Sequence, residues 1–216
     1  VSAAAFRRFE TADELGEAAA DLIVDGVAAA AAKRRSYLLG CPGGRTPKPI
    51  FAALARRCAE DLVDCSHVVI VMMDDYLEND ADPPRVVDDT ADHSCRRFAQ
   101  HDIRGVINAS LPPAYRIPAE SVWFPEPTAP ERFDRRVAEA GGVDLFVVAS
   151  GASDGHVAFC GPGTALDAGS SIVELAPTTR ADNAITFPSL TAVDAVPTHG
   201  VSVGLGTVRR LARSVL

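Results

Sequence analysis

The sequence has no C-x-x-C pair, no cluster of Cys and His at metal-ligand spacing, and no uncharged apolar run long enough to span a bilayer. It also lacks basic excess: 21 Lys and Arg stand against 29 Asp and Glu, a formal net charge of −8 at pH 7. Each lack excludes something. Duplex nucleic acid is held through Lys and Arg that neutralise phosphates, so no nucleic-acid partner is expected of so acidic a chain. The alanine-rich stretch from Ala18 to Ala32 carries Asp21 and Asp25, which removes it as a membrane span. Five cysteines, Cys41, Cys58, Cys65, Cys95 and Cys160, make an odd number without disulfide or zinc spacing. They read as reduced, mostly buried thiols of a cytoplasmic protein. Cys95 lies near His93, but two groups do not make a zinc site. The nucleotide P-loop pattern G-x-x-x-x-G-K-[ST] and the G-x-S-x-G nucleophile elbow are absent too. No metal and no cofactor are expected.

What is present is a chain of 216 residues, 47% hydrophobic and 23% charged, enough for one globular domain over residues 1–216 with a sizeable core. Truncation at the C-terminus is left open. Ala5 to Phe9 reads as a short edge strand. Thr11-Ala-Asp-Glu14 has the form of a capping box, and a helix is expected from there to Ala32, with Leu15, Ala19, Leu22, Ile23 and Val27 as its apolar face. Ser36–Leu39 reads as a buried strand stopped by Gly40-Cys-Pro-Gly-Gly44. Pro47 suits the first turn of a helix to about Cys58. His67–Met73 is the next strand. Leu77–Asp92 is a long polar loop, Ser94–Asp102 a helix, Ser110–Pro130 irregular, and Pro130–Ala140 a helix. Val143–Val148, Ile172–Leu175 and Val201–Val203 complete the strands. Strands that are continuous apolar runs, alternating with helices, predict an α/β fold with a mainly parallel sheet covered on both faces.

Three loops follow apolar runs: Gly40–Thr46, Asp74–Tyr76 and Gly151–His156. In an open parallel sheet, ligands bind beyond the carboxyl ends of the strands, so the three are expected to face one crevice. In Pro42-Gly-Gly-Arg-Thr46 the glycines let successive N–H groups curl inward as an anion nest, with a helix N-terminus behind it. The segment is otherwise a plain strand-to-helix turn. Asp154-Gly-His156 lets a carboxylate orient an imidazole suited to moving protons near neutral pH. Asp74 and Asp75, adjacent in extended chain, point opposite ways. One can face the crevice while the other caps or pairs. Arg180 offers a two-pronged clamp for phosphate, or is an ordinary surface arginine.

In series, these segments resemble the glucosamine-6-phosphate deaminase/6-phosphogluconolactonase superfamily. LLGCPGGRTPKPIFAAL is similar to its sugar-phosphate loop, VVIVMMDDYL to the deaminases' M-D-E-Y strand end, and DLFVVASGASDGHVAF to their G-x-x-D-G-H-I-A-F segment. TTRADNA resembles their T-R-x-x-N, and VSVGLGT their T-V-G-V-G-T. The matches run in order from Tyr37 to Thr207. The resemblance implies a Rossmann-like fold and a phosphorylated sugar as the partner. It implies that Asp74 is a base moving a proton between C2 and C1 of an open-chain sugar. His156 would open the ring, Asp154 would orient it, and Gly43, Gly44, Arg45, Thr46 and Arg180 would hold phosphate.

Two departures stand out. Gly161 occupies the place of a glutamate that helps the deaminases' histidine relay protons, and glycine relays none. The phosphate loop, G-G-R-T-P, is nearer the lactonase form, while M-D-D-Y is deaminase-like. The family's chain goes on to another strand and a phosphate-binding lysine, without an evident counterpart here. Three functions follow in order of preference: an isomerase or deaminase of glucosamine 6-phosphate or a related hexose phosphate, a 6-phosphogluconolactonase, and a non-catalytic sugar-phosphate sensor. Assembly into a homo-oligomer is compatible with all three.

Overall fold

The computed structural model describes residues 6–187 and 189–216. Along the chain lie α1 (Ala12–Ala32), β1 (Tyr37–Cys41), α2 (Lys48–Glu60), β2 (Val68–Met72), β3 (Asp74–Tyr76), α3 (Cys95–Phe98) and α4 (Val106–Asn108). They are followed by β4 (Val122–Trp123), α5 (Glu131–Glu139), β5 (Leu145–Phe146), β6 (Ser171–Glu174), α6 (Pro177–Thr186), β7 (His199–Ser202) and α7 (Leu205–Leu211). A central sheet has the order β4-β2-β1-β5, and every pairing in it is parallel.

Both faces of that sheet are covered, which is why its strands read as unbroken apolar runs. Along β1 and β2 the side chains alternate between two cores. Tyr37, Leu39, Val68, Ile70 and Met72 pack with Ile23 and Val27 of α1 and with Phe51 and Leu54 of α2. Leu38, Val69, Val71 and Met73 pack on the other side with Phe133 and Val137 of α5 and Val208 of α7. Each fully buried side chain of this size contributes about 1.5–3 kcal/mol relative to exposure.

Helix α1 starts as its sequence predicts. Thr11 Oγ1 accepts from Glu14 N–H at 3.1 Å, and the Glu14 carboxylate accepts from Glu10 N–H at 3.0 Å. Its buried face is rotated from the expected one. Leu15 and Leu22 are exposed, and Gly16, Ala19, Ala20, Ile23, Val27 and Ala30 are buried. A Cβ on Gly16 would lie 2.7 Å from the Pro49 carbonyl oxygen, so the α1–α2 contact selects small residues over large ones. Leu15 and Leu22 line an apolar groove with Phe6, Phe9 and Leu216.

Several other expectations are corrected. The strand expected at Ser36–Leu39 runs on through Gly40 and Cys41. Of the edge strand expected at Ala5–Phe9, Ala5 lies outside the described residues, and 6–9 form no strand. The helix expected at Ser94–Asp102 continues, through wide turns at Ala99–Gly105, into α4. Beyond α7, residues 212–216 run parallel to β5 through isolated bridges, Val143 with Ala212 and Phe146 with Val215. The backbone there bonds alongside β5: Val143 N–H donates to Leu211 O, Phe146 N–H to Ser214 O and Leu216 N–H to Phe146 O, at 2.8–2.9 Å.

A second sheet, order β3-β7-β6, is antiparallel. Only Met73 separates it from β2, and the Met73 carbonyl accepts from Val203 N–H at 2.7 Å. The chain therefore leaves one sheet and enters another at the two aspartates, and that switch is where the site forms.

Candidate active site

The loop after β1, the start of β3 and the loop at 149–152 open on one cavity of about 350 Å³. Gly43, Gly44, Arg45, Thr46, Asp74 and His156 all line it. The crevice expected from the three separated loops is thus a real space at the carboxyl edge of the parallel sheet.

Gly44 sits at φ +86°, with nothing within 4 Å of where a Cβ would stand. Its requirement for glycine is conformational, not steric crowding. Among the described residues, the N–H groups of Gly43, Gly44, Arg45 and Thr46 find no acceptor within the chain. Four successive N–H groups without a partner thus precede a 13-residue helix, the local arrangement from which backbone anion nests are built. Arg45 adds a cation, and its guanidinium donates to Thr186 Oγ1 at 3.4 Å across the mouth of the cavity. Lys48, nearby, is engaged with Asp102 at 2.7 Å.

The aspartates divide as alternation along a strand requires. Asp75 is fully buried. Its Oδ1 accepts from the N–H groups of Tyr76 and Cys95, each at 3.0 Å. Its Oδ2 lies 3.3 Å from Arg96 Nε without aligned hydrogen-bond geometry, a charge pairing only. Burial pushes Asp75 up to about 7 despite these partners. Asp74 faces the cavity, 7% exposed, with the Cys95 thiol 3.4 Å from its Oδ1. Burial raises it to about 6, against the opposing pull of that thiol and of His156.

His156 is held from behind. Its Nδ1 lies 2.7 Å from Asp154 Oδ1, which also accepts the His156 backbone N–H at 3.1 Å. Thr179 Oγ1 is 3.2 Å from the same ring nitrogen, and Thr178 Oγ1 donates to Asp154 Oδ2. The Thr178 hydroxyl above all, with the two His156 bonds, draws Asp154 down to about 2, so it stays ionised. An ionised acceptor requires the proton on Nδ1, which leaves Nε2 as the basic ring nitrogen. The ring lies against Gly151, where a Cβ would be 2.1 Å from Nδ1. Only glycine permits that approach.

Arg180 is not brought to the crevice with the others. It sits on α6 with Nη2 donating to the carbonyls of Val193 and Val196, at 2.9 and 3.2 Å. Other lining residues were not among the predicted site residues: Cys95, and the aromatic wall of Tyr76, Phe159 and Phe187. The Tyr76 ring centroid is 4.8 Å from that of Phe159. Thr178 and Thr179 lie within TTRADNA, a segment in which the arginine alone was assigned a role. Among the described residues, no group of three or more His, Cys, Asp or Glu is arranged to hold a metal ion, and no helix is long and apolar enough to cross a membrane.

Fold and crevice define an α/β protein with unpartnered backbone N–H groups ahead of a helix, a buried carboxylate and an oriented imidazole around one cavity. The family model described as glucosamine-6-phosphate isomerases/6-phosphogluconolactonase matches residues 10–191, and the chain belongs to that family. It is 30% identical over 207 residues to a glucosamine-6-phosphate deaminase of Rhodococcus opacus, covering 96% of this chain and 73% of that one. A deaminase of Streptomyces avermitilis is 29% identical over 205 residues, covering 92% and 71%. A solved monomeric glucosamine-6-phosphate deaminase superposes with a TM-score of 0.73 at 22% identity, over 93% of this chain and 76% of that chain. A putative 6-phosphogluconolactonase from Neisseria gonorrhoeae gives 0.60 at 18% identity, over 97% and 80%. These two structural likenesses speak to the fold.

Proposed function

We propose that the chain is a sugar-phosphate isomerase of the deaminase kind, acting on glucosamine 6-phosphate or a closely related hexose phosphate. The observation that carries this reading is the convergence of Asp74, the Asp154–His156 pair and the free N–H groups of Gly43–Thr46 on one cavity. Phosphate in the nest, with Arg45 beside it, fixes one end of the sugar. Arg180 joins it only by releasing the Val193 and Val196 carbonyls.

The chemistry follows from the two proton carriers. His156 takes the proton from the C1 hydroxyl and gives it to the ring oxygen, which opens the ring. Asp154 stabilises the imidazolium formed in between. Asp74, ionised at neutral pH yet more basic than an exposed carboxylate, takes the proton from C2 and returns it at C1. The open-chain 2-amino aldehyde thereby becomes a ketose imine, as the C1 carbonyl oxygen takes up a proton and the C2 nitrogen gives one up. Water adds at C2, ammonia leaves, and fructose 6-phosphate remains. A positioned base of this sort contributes about 10²–10⁴-fold in rate.

Gly161 favours a second reading, lactone hydrolysis, in which His156 activates water against the carbonyl of 6-phosphogluconolactone. A Cβ at this position would meet only the Ala176 methyl, at 3.7 Å, and no side chain is there to pass protons to His156. The two readings separate in one assay pair. Glucosamine 6-phosphate yields ammonia and fructose 6-phosphate under the first, with Asp74→Asn abolishing turnover. Lactone opening faster than buffer, without ammonia release from the amino sugar, would replace the first reading with the second.

A further inference from the structure

Cys95 begins α3 and touches both aspartates at the sheet switch. Its Sγ lies 3.4 Å from Asp74 Oδ1, and its backbone N–H donates to Asp75 Oδ1 at 3.0 Å. It is buried and lines the cavity beside the phosphate loop, with Sγ 3.6 Å from the Cβ position of Gly43. Burial first, and then the charges of Asp74 and Asp75, push its thiol well above the usual cysteine range. The sulfur therefore stays protonated. It is a hydrogen-bond donor to Asp74, not a nucleophile.

We propose that Cys95 is a positioning residue that holds Asp74 Oδ1 and so sets both the aim and the strength of the base. Among the described residues, Asp74 Oδ2 has no partner within the chain, and it is the oxygen left for the cavity. A donor on one carboxylate oxygen favours the ionised form. The thiol thus offsets part of the burial that makes Asp74 basic. Other titratable or charged groups facing this carboxylate are Asp75 and Tyr76 on β3, Arg96 on α3 through Asp75, His156 from the 151–156 loop, and Cys160. The inference takes Asp74 as the base of the proposed reaction, but its first test does not need turnover.

That test is a pH titration of the Asp74 carboxyl carbon by NMR in the unaltered chain, in Cys95→Ala and in Cys95→Ser. Both substitutions keep the backbone N–H on Asp75, and serine nearly preserves the volume. Loss of the donor in Cys95→Ala raises the midpoint by roughly half to one pH unit. The serine hydroxyl, a stronger donor than a thiol, returns it to the unaltered value or below. An unchanged midpoint in Cys95→Ala, or both variants moving together, overturns the inference. In the unaltered chain the Cys95 Cβ signal must follow the Asp74 midpoint, and a flat signal overturns it equally. The acid limb of kcat/KM then moves with the NMR midpoint. If the midpoint moves and the acid limb does not, the hold of Cys95 on Asp74 stands and the assignment of Asp74 as the base falls.

Discussion

Replacing Asp74 with asparagine is expected to stabilise the protein at neutral pH while removing its activity. The Asp74 carboxyl rises from an ordinary 3.8 to about 6 in the folded state because it is buried. At about 1.36 kcal/mol per tenfold change in proton affinity, that corresponds to about 3 kcal/mol of destabilisation once the group is ionised. The direction follows from proton counting. Between pH 4 and 6 the folded chain holds a proton that the unfolded chain has released, so stability falls as pH rises through this window. Asparagine has no charge to bury and still accepts from the Cys95 thiol. The variant and the unaltered chain should be nearly equal in stability below pH 4. They should diverge through pH 6, and differ by about 2–3 kcal/mol above it, after allowance for the newly buried amide N–H. Asp75, raised to about 7 partly by the charge of Asp74, relaxes in the same direction and enlarges the gap. Urea unfolding from pH 4 to 8, followed through the single tryptophan, Trp123 on β4, measures it. A stability difference that does not change with pH, or a variant less stable at pH 8, would refute the claim that the protein holds an unfavourably buried charge for use as a base.

With Asp74 as the proposed base, turnover is expected to fall tenfold per pH unit below about 6, because only its ionised form accepts a proton. A kcat/KM profile with no acid limb between pH 5 and 7 contradicts that. Gly44→Ala places a Cβ at φ +86° and costs about 1–2 kcal/mol of backbone strain. Turning the free N–H groups raises KM for the phosphorylated substrate more than it lowers kcat, as steady-state kinetics and a melting curve will register together. Gly151→Ala drives a methyl to 2.1 Å from His156 Nδ1. The imidazole must swing off Asp154, and kcat is expected to drop by about 10²-fold or more while inorganic phosphate still protects the chain against heating.

How far the site could be read from sequence depended on whether each feature is local. The crevice was legible because its three loops are marked by short-range chemistry. Apolar runs end in Gly-Gly, in Asp-Asp and in Asp-Gly-His, and the backbone rule for parallel sheets gathers such ends on one edge. The split between Asp74 and Asp75 was legible for the same reason, since neighbours in extended chain must face apart. What paired with that segment was not. β3 bonds to β7 at Gly200–Ser202, and nothing within Asp74–Tyr76 points to so distant a stretch. The helix carrying Thr178 and Thr179 lacks a clear apolar stripe, and Pro177 at its start was its one local mark. Leu15 and Leu22 misled because hydrophobicity was taken as burial, whereas the close α1–α2 contact selects by size and takes Gly16 and Ala20 instead. Arg180 shows the same limit at a charged residue. Its position in TTRADNA matched a phosphate-binding motif, but the direction of its side chain is decided by carbonyls at Val193 and Val196. Cys95 is the sharpest case. A lone cysteine in a polar stretch carries no message, and it acquires one only when folding brings it between two carboxylates. Residue types near a strand end can therefore nominate a base, but the groups that set its proton affinity come from other elements and become visible only in the fold.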